Sequence, residues 1–182
     1  LDQLRRVKYP WAAIMTAPAL ACVCAMRGDP AGASAAIDLL VEPGIMFADP
    51  RFFEPVARDL RRLVDCIRGD LEWLDASNTT GHSESNGNDM GQLVDVCAKV
   101  EFADALQSPA LAAGVGQILQ RAEENGVLFM SGWPFFVPRL RGVLGLLDGN
   151  WDFAVPQLER ALAIAESAGA LPEQARSALD LA

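Results

Sequence analysis

The sequence predicts an all-α protein made of antiparallel helix pairs, and three observations predict it. First, the stretch from Arg139 to Ala182 reads as a helix, a turn at Asp148-Gly149-Asn150, a second helix, a break at Gly169 and a third helix after Pro172. Second, apolar residues within it fall at Ala154, Leu158, Ala161, Leu162 and Ala165, the spacing of one buried face of a 3.6-residue helix. Third, the turn signal recurs. A period of about 40 residues separates Gly28 from Gly69, and close to two more reach Gly149, a regularity expected of stacked repeats.

Taken in order, residues 1–8 read as the tail of a preceding helix in a piece of a longer protein. Tyr9-Pro10-Trp11 opens an alanine-rich helix reaching Met26, with a kink expected at Pro18 because proline lacks the amide donor. Arg27-Gly28-Asp29-Pro30 is a turn with Asp29 as N-cap and Pro30 at the first helical position. The next helix carries Ala33, Ile37 and Leu40 on one face, opposite Leu20, Ala21 and Cys24 of its partner, and stops at Pro43-Gly44. A third pair follows Asp49-Pro50. Pro55 starts its first helix, Val56, Leu60, Leu63, Val64 and Ile67 form its apolar stripe, and Arg58, Arg61 and Arg62 lie opposite. Arg68-Gly69-Asp70 repeats the turn, and a short helix begins with Leu71, Trp73 and Leu74. The period predicts another turn at Gln107-Ser108-Pro109, with Ser108 capping a helix that Pro109 starts. Four helix pairs result, in one repeat domain over residues 1–182. Residues 77–89, SNTTGHSESNGND, contain no apolar residue and are expected to form a flexible polar loop.

In the last unit, Gly142, Gly145, Gly149, Trp151, Ala154, Leu158 and Ala161 follow the order small residue, turn glycine, aromatic, small residue, large apolar residue. On these positions the unit resembles a tetratricopeptide repeat, with the match clear over about the last quarter of the chain. Arg141, where that pattern has leucine, departs from it, as does the long period. The resemblance extends to the degenerate repeats of large bacterial signalling proteins, among them nucleotide cyclases and LuxR-type regulators with an ATPase core. It implies a right-handed solenoid and catalytic or DNA-binding domains elsewhere in the longer chain.

Composition narrows the function. With 51% hydrophobic residues the chain can bury a core, and its apolar runs are too short and interrupted to span a membrane. Asp and Glu number 24 against 15 Lys and Arg, a net charge of −9 that repels phosphate backbones and argues against nucleic-acid binding. The four cysteines lack metal-ligand spacing. Cys22 and Cys24 point to different helix faces and read as small core residues in a reducing cytosol.

Little in the sequence suggests catalysis. The single histidine, His82, lies in the polar loop, a poor setting for a preorganised base or a zinc ligand. Gly114-Val115-Gly116 lacks the rest of a phosphate-binding loop. Glu123 and Glu124, adjacent on a helix, point apart and read as a solvated face. Asn78-Thr79-Thr80 matches a glycosylation sequon with no sign of secretion, and the two Arg-Gly-Asp triplets read as helix-capping turns. No catalytic, cofactor or metal residue is expected.

What remains is binding. The aromatic cluster Phe129, Trp133, Phe135 and Phe136, and Trp73 beside the polar loop, are candidate interface residues, although each also suits packing between repeats. The expected function is a non-catalytic protein-interaction or regulatory module of a cytoplasmic signalling or transcription-regulatory protein, with a protein partner, its own adjacent domains or a second copy as ligand. The alternative is a small-molecule effector site that controls an attached cyclase or ATPase, for which a concave pocket with convergent polar groups is required.

Overall fold

A computed structural model describes residues 10–42, 53–71, 89–130 and 132–182. Among them are eight α-helices, one 3-10 turn and no β-strand; the structure is all-α. Expected features at residues 1–8, Pro43-Gly44, Asp49-Pro50, Trp73-Leu74 and 77–88 lie outside the described residues. The chain divides into two compact units, Leu1–Trp73 with Ser131–Pro134, and Leu74–Met130 with Phe135–Ala182.

The first unit holds α1 (Pro10–Met26), α2 (Pro30–Asp38) and α3 (Glu54–Arg68), with α1 packed against both others. Asp29 caps α2 as expected, its carboxylate accepting from the amide of Gly32 at 2.9 Å. Ala33, Ile37 and Leu40 are buried with Ala17, Ala21, Cys22 and Ala25 of α1 and with Leu60, Leu63 and Val64 of α3. Pro18 interrupts the hydrogen-bond ladder of α1, and there the amide of Ala19 donates to the carbonyl of Gly132 at 3.0 Å. Gly132 has φ +79°, and a Cβ on it would lie 2.5 Å from the Met15 carbonyl oxygen. Only glycine fits that approach.

The second unit contains α4 (Asp89–Ala105), a 3-10 turn (Pro109–Ala112), α5 (Gly116–Glu124), α6 (Val137–Leu147), α7 (Trp151–Ser167) and α8 (Leu171–Asp180). Helix α6 touches α4, α5 and α7, and α8 lies mainly on α7. Gly142 and Gly145 give α6 a small-residue flank. A Cβ on Gly142 would meet the Leu158 side chain at 2.5 Å, and one on Gly145 would come within 3.1 Å of the Ala154 backbone. The α6–α7 turn closes by paired bonds from Asn150 to Gly145 and from Gly149 to Leu146, and the Asn150 side chain accepts from the Phe153 amide. Helix α7 continues through Pro156.

Two expectations need correction. The predicted turn is present at Gln107, which adopts φ +48°, but Ser108 makes no side-chain cap bond. Pro109 starts a four-residue 3-10 turn, and the α-helix begins only at Gly116. The polar segment also ends one residue early, because Asp89 is the first residue of α4.

Candidate functional site

Helix α8 is built inside out. Leu171, Pro172, Ala175, Ala178 and Leu179 are exposed, while Glu173 and Ser177 are buried and Gln174, Arg176 and Asp180 are half-buried. Leu171 and Leu179 are 70% and 76% exposed. A surface helix ordinarily turns its apolar stripe to the core and its charges to water; α8 does the reverse.

The inward charges meet partners from two other helices. Arg139 on α6, 4% exposed, pairs with Glu101 of α4 at 3.0 Å, and its Nε lies 2.7 Å from Oδ2 of Asp180. Arg176 on α8 reaches the other oxygen of Glu101 at 2.5 Å and Glu173 at 3.4 Å. Asp104, one turn along α4 from Glu101, stands 3.9 Å from Arg139. Four carboxylates thus face two guanidiniums, and the excess negative charge shapes their protonation.

Burial opposes the charge of Glu101, yet Arg176 and Arg139 hold its carboxyl below the ordinary range. Glu173 and Asp104 move the other way. Burial raises both above the usual carboxylate range, and the neighbouring carboxylates, Glu101 for both and Asp180 for Asp104, add to it against the attraction of the arginines. Burial disfavours charge on Arg139, but Glu101 and Asp180 outweigh it and keep the guanidinium protonated. Burial, reinforced by Glu101, pushes the Cys97 thiol far up, so this free cysteine is an inert core residue.

A second ionic contact corrects the reading of Glu123 as a solvated residue. Glu123 is buried and pairs with Arg141 on α6 and Arg160 on α7. Arg141 also lies over the Phe153 ring, its guanidinium carbon 5.3 Å from the centroid. Arginine at this position, which departs from the tetratricopeptide pattern, thereby ties α5 to α6 and α7. Its neighbour Glu124 does face solvent, where it accepts from Gln120 at 2.8 Å.

The sequence-predicted interface residues separate. Phe135 and Phe136 are core residues of the second unit, so they offer no contact surface; the run FMSGWPFFVP looked exposed because its prolines hid a short antiparallel bridge between Phe129 and Phe136. Phe129 stacks on Phe136 at 4.7 Å between centroids and keeps 42% exposure. Trp133 belongs to the first unit and is half-buried, and Trp73 lies outside the described residues. The exposed apolar residues missed by sequence reasoning include Met15, Val23, Trp151 and Val155, and on α8 Leu171, Ala175, Ala178 and Leu179. On α8 the i, i+4, i+7, i+8 spacing was visible, but it reads equally well as a buried stripe.

Among the described residues no cluster of three or more His, Cys, Asp or Glu side chains could hold a metal ion, and no helix is long and apolar enough to cross a membrane. The chain matches no family model, no curated protein and no solved structure.

Proposed function

We propose that this chain is a non-catalytic protein-interaction module, and that its binding face is the outer side of α8. One observation carries the reading: α8 spends its charged residues on an internal network with Glu101 and Arg139 and leaves Leu171 and Leu179 in water. Water contact with that much aliphatic surface costs free energy that a partner's apolar face recovers. The arginine–carboxylate network joins α8 to α4 and α6, which supports reading it as a scaffold for α8.

The paired helices and their recurring glycine turns also support membership in a tetratricopeptide-like solenoid of a larger cytoplasmic signalling or transcription-regulatory protein. In that setting the module would couple a partner's presence to a neighbouring domain by favouring one arrangement over another.

Affinity capture with the immobilised chain tests the reading, using the Leu171→Lys/Leu179→Lys variant as control. Stoichiometric capture of a protein by the wild type and not by the folded variant is expected. Identical capture by both, or none by either, overturns the assignment of the α8 face.

A further inference from the structure

We propose that α8 is a releasable strap: it swings out as one unit on the turn at Gly169 as pH rises, while α4 to α7 stay folded. The inference goes beyond the interaction reading and concerns what holds α8 in place. Every apolar side chain of α8, from Leu171, Pro172, Ala175, Ala178 and Leu179, is exposed, and its buried residues are Glu173 and Ser177. Release therefore moves polar groups of α8 into water and little further aliphatic surface of its own. The hydrophobic resistance that guards a core helix is missing.

The core beneath is complete without the strap. Phe136, Ala161 and Ala165 cluster with Leu128, Ile164 and Ala170, all of which precede α8. The connecting turn is exposed at Ser167, Ala168 and Gly169, and Gly169, at φ +65°, has nothing within 4 Å of where a side chain would start. At 10 residues α8 is too short to persist alone in water, so a released strap also loses its helical hydrogen bonds.

Acid is in excess at the joint. Glu101 and Asp104 of α4 and Glu173 and Asp180 of α8 share Arg139 of α6 and Arg176 of α8. Cys97 of α4 stays a neutral thiol beside Glu101. From α7 the contact is neutral, the Ala165 carbonyl accepting from Gln174 at 3.2 Å, and the charged residues of α7, Asp152, Glu159, Arg160 and Glu166, are exposed. Glu173 accepts from Arg176 on Oε1 at 3.4 Å, but its buried Oε2 and the buried Ser177 hydroxyl have no hydrogen-bond partner among the described residues. A protonated Glu173 suits that site. An ionised one leaves charge on an oxygen without a donor.

Glu173 and Asp104, raised by burial in the docked state, recover ordinary values once α8 leaves. Docking is therefore strongest below the ordinary carboxylate range and weakens as pH rises through the raised values. Glu101, whose burial is outweighed by Arg176 and Arg139, sets the acid limit, since docking is lost again as pH falls through its lowered value.

Amide hydrogen exchange of the full chain from about pH 5 to about pH 8, corrected for the intrinsic rate, provides the test. The amides of residues 175–180 should share one protection value, about tenfold or more below the best-protected amides of α6 and α7 at every pH. That value should fall with pH by up to about tenfold per unit for each proton released, and Glu173→Gln should flatten the fall. Equal protection in α8 and α7 overturns the proposal, because α8 then opens only with the whole unit. Protection graded from Asp180 back to Ala175 is end fraying and overturns it too, as does a full slope retained by a folded Glu173→Gln. A wild-type profile indifferent to pH has the same consequence, and that result stands even where Glu173→Gln fails to fold.

Discussion

Glu101 on α4 and Arg176 on α8 are 75 residues apart in sequence and meet at 2.5 Å. The same carboxylate takes Arg139 of α6 on its other oxygen. Three helices thus converge on one buried acid, although α8 packs principally on α7. The network aims α8 so that its apolar side faces outward. Burying ions is costly, and apolar replacements in such places often stabilise; what the pairs do here is join α8 to α4 and α6.

The network makes stability depend on pH in both directions. Glu101, held below its ordinary value, contributes stability that is complete above the normal carboxylate range and is lost as pH falls through its lowered value. Glu173 and Asp104, raised above theirs, favour folding most below that range, and the advantage is lost as pH rises through their raised values. The melting temperature of the second unit should therefore peak at mildly acidic pH and decline towards neutrality. Glu173→Gln should flatten the decline on the neutral side while leaving the acid side unchanged. Thermal unfolding followed by circular dichroism at a series of pH values checks both limbs; a curve that keeps rising to pH 8 would contradict the assignment.

Removing Glu123 should destabilise the chain by about 1–3 kcal/mol, because it leaves Arg141 half-buried without its partner. The two arginines should not count equally. The Arg160 side chain is 51% exposed, and pairs at such sites contribute about 0–1 kcal/mol. Double-mutant cycles in urea should give a larger coupling for Glu123 with Arg141 than with Arg160.

How much of this was legible beforehand follows from the range of each interaction. Turns and caps are local, so Asp29-Pro30, Gly149-Asn150 and the turn near 109 could be read directly. The close approach behind Gly142 and Gly145 was also readable, since only missing side chains permit it. Glu123 was misread because its neighbour Glu124 gives no hint of arginines on two later helices. Arg139, Glu101 and Arg176 were invisible for the same reason. The outward stripe of α8 could not be told from a core stripe, because periodicity fixes a face and not the direction it points.

The α6–α7 contact supplies a sharper test of packing. Ala154 is fully buried against Gly145, so Ala154→Glu forces a larger, charged side chain into backbone contact and should cost more than about 3 kcal/mol. Gly145→Ala is subtler. Alanine gains about 1 kcal/mol of helix propensity, but its Cβ would lie 2.8 Å from Phe153 and 3.1 Å from the Ala154 backbone. The backbone contact has no cheap relief, so a net loss of about 1–2 kcal/mol is expected. A melting temperature for Gly145→Ala above that of the wild type would mean the two helices are farther apart.

Gln107 offers the opposite sign. Gly28, Gly69, Gly126, Gly149 and Gly169 all close helices with positive φ, and Gln107 is the non-glycine residue doing the same, at φ +48°. The backbone bonds match those of the glycine turns: Ser108 donates to Ala103 at 2.8 Å and Gln107 to Asp104 at 3.0 Å. A side chain in this left-handed region costs roughly 1–2 kcal/mol. The Gln107 side chain returns part of that by donating to the Asp104 carbonyl at 2.8 Å, an exposed bond worth well under 1 kcal/mol net. Glycine also loses more chain entropy on folding, which subtracts up to about 1 kcal/mol. Gln107→Gly should therefore raise stability by a few tenths to about 1 kcal/mol. Gln107→Val should lower it by more than that, since a β-branched residue tolerates positive φ poorly. Urea unfolding of the three proteins side by side should rank them glycine, glutamine, valine, and a valine variant as stable as wild type would show that the turn opens differently.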